Sequence, residues 1–125
     1  MVEIAPGELV DKITILQIKL ERITDPAKLA NLRVEYDILT RKAETALQAS
    51  PELSEMSDRL KEINGRLWEI EDEIRDLERA KSFGPEFIAL ARSVYRTNDE
   101  RAAVKRRINE LLNSAIIEEK SYASY

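Results

Sequence analysis

The chain has 125 residues, enough for one domain with a modest core. Its 43% hydrophobic and 35% charged residues, with only 3 Gly and 4 Pro, form the balance of long amphipathic helices and not of a disordered chain. The absence of Cys and His excludes a disulfide framework, a Cys or His zinc site, a Cys nucleophile and a Ser-His-Asp triad, and the net charge of -4 argues against nucleic acid as a partner.

The opening "MVEIAPGELV" lacks the basic start and apolar centre of a signal peptide, and no apolar run approaches the ~20 residues that span a bilayer. A cytoplasmic protein without a membrane segment is expected. A first helix is predicted over residues 7–24, with Leu9, Ile13, Leu16, Leu20 and Ile23 on one seam and Val10, Ile15 and Ile18 beside it. Being apolar around much of its circumference, it should touch two neighbours. Asp25 and Pro26 open a second helix over 26–49, with Leu29, Leu32, Tyr36, Leu39 and Ala43 in register.

Ser50 and Pro51 open a third, over 51–82. Here Leu53, Met56, Leu60, Ile63, Leu67, Ile70, Ile74 and Leu77 keep a 3-4 rhythm like that of a coiled coil. Gly84 is a candidate stop, and Pro85 opens a fourth helix over 85–114. The tail 115–125 is expected to be irregular, with Ile116, Ile117, Tyr122 and Tyr125 available to dock on the bundle. Short connections predict an all-α, antiparallel four-helix bundle in which the third and fourth helices form a long hairpin. At 1.5 Å per residue the third helix is about 45 Å long and the first about 27 Å. The surplus length predicts a homodimer, and Trp68, one residue off the seam, either marks a second contact surface or packs under the first helix.

The fourth helix contains an anomaly, "VYRTNDERAAVKRRIN". Thr97 and Arg101 fall on its apolar seam, and Tyr95, Asn98, Lys105 and Asn109 lie on the adjacent row. A buried guanidinium must be paired or wet. Three readings follow: a helix break at the capping-box spacing of Thr97 and Glu100, a structural ion pair that fixes register, or a pocket in which Arg101 and Lys105 hold an anionic small molecule that Asn98 and Tyr95 orient. Carboxylates are at hand in Glu8 and Asp11 of the first helix and in "WEIEDEIRDLE" of the third. Residues 51–80 carry ten acidic and five basic residues, and residues 92–107 carry two and six, so the two helices should attract each other.

Other chemistries fit less well. Glu52/Glu55, Glu69/Asp72 and Glu73/Asp76 have the spacing of magnesium-holding pairs, but they lie along one helix instead of facing each other, so no metal or other cofactor is expected. A metal-independent, chorismate-mutase-like enzyme would suit a basic pocket inside a helical dimer, although a full set of arginines cannot be assigned. A phosphate stripe on Arg92, Arg96, Arg106 and Arg107 is outweighed by the acid surplus elsewhere.

"PGELVDKITILQIKLERI", "LWEIEDEIR" and "FGPEFIALARSVYRTNDERAAVKRRINELL" together resemble a family of small bacterial proteins, domain of unknown function 6165. The resemblance covers Pro6 to about Tyr122. It implies an all-helical fold and an association with glycosyltransferase or surface-polysaccharide pathways. Carried onto this chain, the family's polar positions are Glu8, Asp11, Lys12, Thr14 and Lys19, then Trp68, Glu71 and Asp72, then Tyr95, Asn98, Asp99, Arg101, Lys105 and Asn109. The expectation is therefore a non-enzymatic helical module that binds a protein partner. The alternative is a site for an anionic small molecule. The two differ in whether Arg101 and Lys105 are paired or face an open pocket.

Overall fold

The computed structural model describes the backbone of residues 4–120 and the side chains of residues 4–112. It contains four helices, α1 (Pro6–Arg22), α2 (Pro26–Ala46), α3 (Pro51–Arg79) and α4 (Pro85–Lys120), and no strand among the described residues. The fold is an all-α helical bundle. Each helix begins on proline, whose fixed φ suits a first turn and whose missing N–H would be unpaired there anyway. Asp25 accepts a hydrogen bond from the Ala27 amide at 3.3 Å, and Ser50 accepts one from the Leu53 amide at 3.1 Å.

Helix ends depart from the sequence reading for local reasons. α1 stops at Arg22 and α2 at Ala46, two and three residues early. Ile23 and Leu47 are already extended, because the chain must leave helical geometry before Pro26 and Pro51. α3 stops at Arg79 instead of running to 82. Its brake is Lys81, at φ 53, with the Lys81 amide bonded to the Glu78 carbonyl and the Ser82 amide to the Leu77 carbonyl. This is the Schellman pattern, and it makes Lys81 the left-handed residue where Gly84 had been the candidate.

α4 runs without interruption through Thr97, so the capping-box break does not occur. It also continues through 115–120, a stretch expected to be irregular, because neither Gly nor Pro interrupts that segment. The proposed docking of Ile116, Ile117, Tyr122 and Tyr125 lies outside the described side chains.

α1, α3 and α4 pack against one another around Val10, Leu60, Ile63, Leu67, Val104 and Ile108. Leu60, Ile63 and Ile108 are fully buried, each contributing about 1.5–3 kcal/mol. α3 and α4 share the most extensive interface, as a hairpin. α1 lies antiparallel to α4, Gly7 beside Asn109 and Asp11 beside Arg101. Among the described residues α2 packs on α1 alone and has no fully buried residue. Its distance from α3 opens a groove of about 430 Å³ with Val10, Ile13 and Leu53 among its walls and Thr40 beside it. The Thr40 hydroxyl is buried without a hydrogen-bond partner among the described residues.

The lengths are as uneven as expected. α1 has 17 residues, α3 has 29 and α4 has 36. Among the described residues α1 reaches along α3 to Trp68, Glu69 and Glu71, so the outer part of the hairpin beyond them forms a two-helix arm. No helix among the described residues is long and apolar enough to cross a membrane.

Candidate functional site

The polar residues of α4 that disturb its apolar seam meet α1. Asp11 is only 1% exposed, on the face of α1 turned into the bundle. Arg101 donates to it through Nε, at 2.9 Å to Oδ1, and through Nη2 to Oδ2, a side-on bidentate pair. Asn64 of α3 gives Nδ2 hydrogens to Asp11 Oδ1 at 2.9 Å and to the Thr14 hydroxyl at 3.0 Å. Thr14, fully buried, donates in turn to the Asp11 carbonyl oxygen at 2.7 Å. One carboxylate thus ties α1 to both helices of the hairpin.

The second cation is held in the same place. Lys105 Nζ lies 2.7 Å from Glu8 Oε2 and 3.8 Å from Asp11 Oδ2. Glu8 and Asp11 therefore balance Arg101 and Lys105. Burial, the strongest single influence on Asp11, pushes its carboxyl pKa up. Hydrogen bonds from Arg101 and Asn64, with the charges of Arg101 and Lys105, outweigh it and hold the carboxyl below its ordinary value. The Arg101 pKa is raised, chiefly by its bond to Asp11, against the opposing effect of burial.

One turn further along, the Gly7 amide donates to Asn109 Oδ1 at 2.7 Å. This satisfies one of the free N–H groups at the start of α1. Gly7 is required by packing, since a Cβ there would overlap the Lys105 carbonyl oxygen, a backbone atom. α1 and α4 can approach this closely only without that carbon.

A cleft of about 220 Å³ opens between α1, α3 and α4 beside the ion cluster. Ile15, Ile18, Leu67 and Trp68 supply its apolar walls, and Lys19, Glu71 and Arg101 its charges. Trp68 therefore sits beside the α1 helix of its own chain, with the Arg22 guanidinium 6.0 Å from the ring centroid.

The anticipated residues divide accordingly. Asp11, Arg101, Lys105 and Asn109 form the α1–α4 seam, and Lys19, Trp68 and Glu71 line the cleft with Arg101. Lys12 is exposed. Asp72 is exposed and pairs with Arg75 of its own helix at 3.2 Å. Tyr95, 73% exposed, and Asn98 face outward and line none of these features. Asn64 escaped the sequence reading. Its signal was the 4-3 spacing of Leu60, Asn64 and Leu67, which places a polar residue beside the apolar seam.

α3 and α4 pair as expected, but few of their opposite charges meet directly. The ion pair that joins them among the described residues is Arg66–Glu100 at 2.7 Å, with the basic group on α3 and the acidic one on α4. Arg92 and Arg96 have no ion pair among the described residues, and no group of acidic residues there could hold a metal ion.

Residues 1–125 match the model of DUF6165, a family of unknown function. The chain belongs to this family. For this DUF6165 member, no match was found among curated proteins or among solved structures.

Proposed function

We propose that this DUF6165 member is a non-enzymatic helical interaction module that pairs with a second copy of itself through the outer arm of α3 and α4. The observation that carries this reading is the arm itself. Phe83, Ile88 and Tyr95 are large apolar groups exposed on it, and Ile88 and Tyr95 lie seven residues apart on one face of α4. Asp72, Glu73, Asp76 and Glu78 make its α3 acidic, while Arg92 and Arg96 have no ion pair among the described residues. A two-fold pairing sets the α3 of one copy against the α4 of the other, where opposite charges and apolar groups are complementary. The family resemblance directs the search for a further protein partner to glycosyltransferase and surface-polysaccharide pathways.

The polar cluster supports a structural role for its cations. Lys105 is engaged by Glu8 and two of the Arg101 donors by Asp11, so the two cations are not both free to clamp a dianion as a chorismate-mutase-like site would require. The test is sedimentation equilibrium of wild type and Ile88→Glu. Wild type should sediment as a dimer and the variant as a monomer. A monomeric wild type across the micromolar range would remove self-association from this reading.

A further inference from the structure

The cleft beside the ion cluster holds groups that the network leaves unused. Arg101 spends Nε and Nη2 on Asp11, and its Nη1 amino group takes no acceptor among the described residues. Its side chain is 29% exposed and lines the cleft. Lys19, on the α1 wall, has no ion pair among the described residues and is not held by any side-chain acceptor there. Glu71 supplies a carboxylate whose one ion pair among the described residues is a long one, 3.9 Å, to Arg75. Asn64 donates through Nδ2 to Asp11 and Thr14, which leaves its side-chain oxygen as an acceptor. Between these groups lie the apolar faces of Ile15, Leu67 and Trp68.

We infer that this cleft binds a small amphoteric molecule, a free amino acid with an apolar side chain. Its carboxylate lies between Lys19 and the outer edge of Arg101. Its ammonium is drawn to Glu71 and the Asn64 oxygen, and its side chain rests against Trp68 and Leu67. A simple anion would use Lys19 and Arg101 but be repelled by Glu71. A simple cation would meet the reverse. A ligand carrying both charges satisfies all three groups, and an apolar body suits the walls. The volume, equal to about seven waters at ~30 Å³ each, suits a metabolite and not a peptide segment. Arg101 can serve here because Asp11 has already fixed its guanidinium, so little side-chain freedom is lost on binding. The inference is independent of the arm and of self-association.

Trp68 is the only tryptophan and lines the cleft, so its fluorescence reports occupancy directly. The full chain is titrated with each apolar L-amino acid in turn, and then with isocaproate and isoamylamine, which keep the leucine side chain but lack the ammonium and the carboxylate respectively. At least one amino acid should produce a saturable change in Trp68 emission and raise the unfolding temperature. Lys19→Met and Glu71→Gln, both at partly or fully exposed positions away from the core, should fold as wild type and each weaken binding about tenfold or more. Three outcomes overturn the inference. None of the amino acids binds at millimolar concentration; isocaproate or isoamylamine binds as tightly as the best amino acid; or Lys19→Met binds as wild type does.

Discussion

The inner end of the α3/α4 hairpin and its outer arm use the same two helices but are held in opposite ways. At the inner end α1 closes the third side, and polar groups are drawn inside and matched: Asp11 with Arg101 and Asn64, Lys105 with Glu8, Gly7 with Asn109. On the arm there is no third helix. Its seam residues Ile70, Ile74, Leu77 and Leu90 are only half-buried, and Phe83 stacks edge-on against Phe87, 5.2 Å away, at the turn. The difference shows what a charged residue on an apolar seam requires. Arg101 is tolerated where α1 brings a carboxylate to it, and the arm, which lacks that helix, keeps its arginines outside.

The contrast is tested most severely at Asp11. Asp11→Ala leaves Arg101 and Lys105 beside a buried gap, and urea unfolding should show a loss of about 3–5 kcal/mol. Replacing the pair together, Asp11→Leu with Arg101→Met, should recover most of that loss if the cluster is architecture, because burying the charges carries its own desolvation cost. The same pair predicts a pH dependence. The folded Asp11 pKa is depressed below its ordinary value of 3.8, so the unfolded chain binds the proton more readily, and the stability Asp11 contributes is fully present above that value. It is lost as pH falls from there through the folded pKa. The gap in unfolding free energy between wild type and Asp11→Asn should therefore be widest near neutrality and close in acid.

Smaller effects refine the boundary between the two regions. Gly7→Ala should cost about 1–3 kcal/mol by thermal unfolding, since the added methyl forces α1 away from the Lys105 carbonyl. Glu100→Gln, which breaks the exposed Arg66 pair on the hairpin, should cost less than about 1 kcal/mol, and less still in high salt. On the arm, Tyr95→Ala should leave stability within about 0.5 kcal/mol of wild type while weakening dimer formation in sedimentation. A large stability loss at Tyr95 would show that the arm folds as part of the core.

Much of this was legible along the chain. Four prolines with Asp25 and Ser50 marked the helix starts, and the 3-4 rhythm of α3 named Leu60, Ile63 and Leu67 as core before any contact was known. These are local signals: backbone sterics, caps and periodicity act within a turn or two. Arg101 and Thr97 were also legible as misplaced, because a polar residue on an apolar seam is an anomaly in one dimension. Which reading resolved that anomaly was not. It required Asp11, ninety residues away, to arrive on the facing helix, and Asn64 to arrive from a third. The capping-box pattern at Thr97 and Glu100 was outweighed once Glu100 had Arg66 to meet and α4 had hairpin packing along its length. Charge sums did not locate the ion pair across the hairpin for the same reason. They count residues on a helix and not the faces those residues occupy, and most acids of α3 face solvent. Helices, their starts and their apolar faces were thus settled by sequence, because neighbours in the chain decide them. The pairing of Arg101, the packing of α2 on α1 alone and the cleft beside Trp68 were decided by tertiary structure, since each depends on surfaces that meet only after the chain has folded.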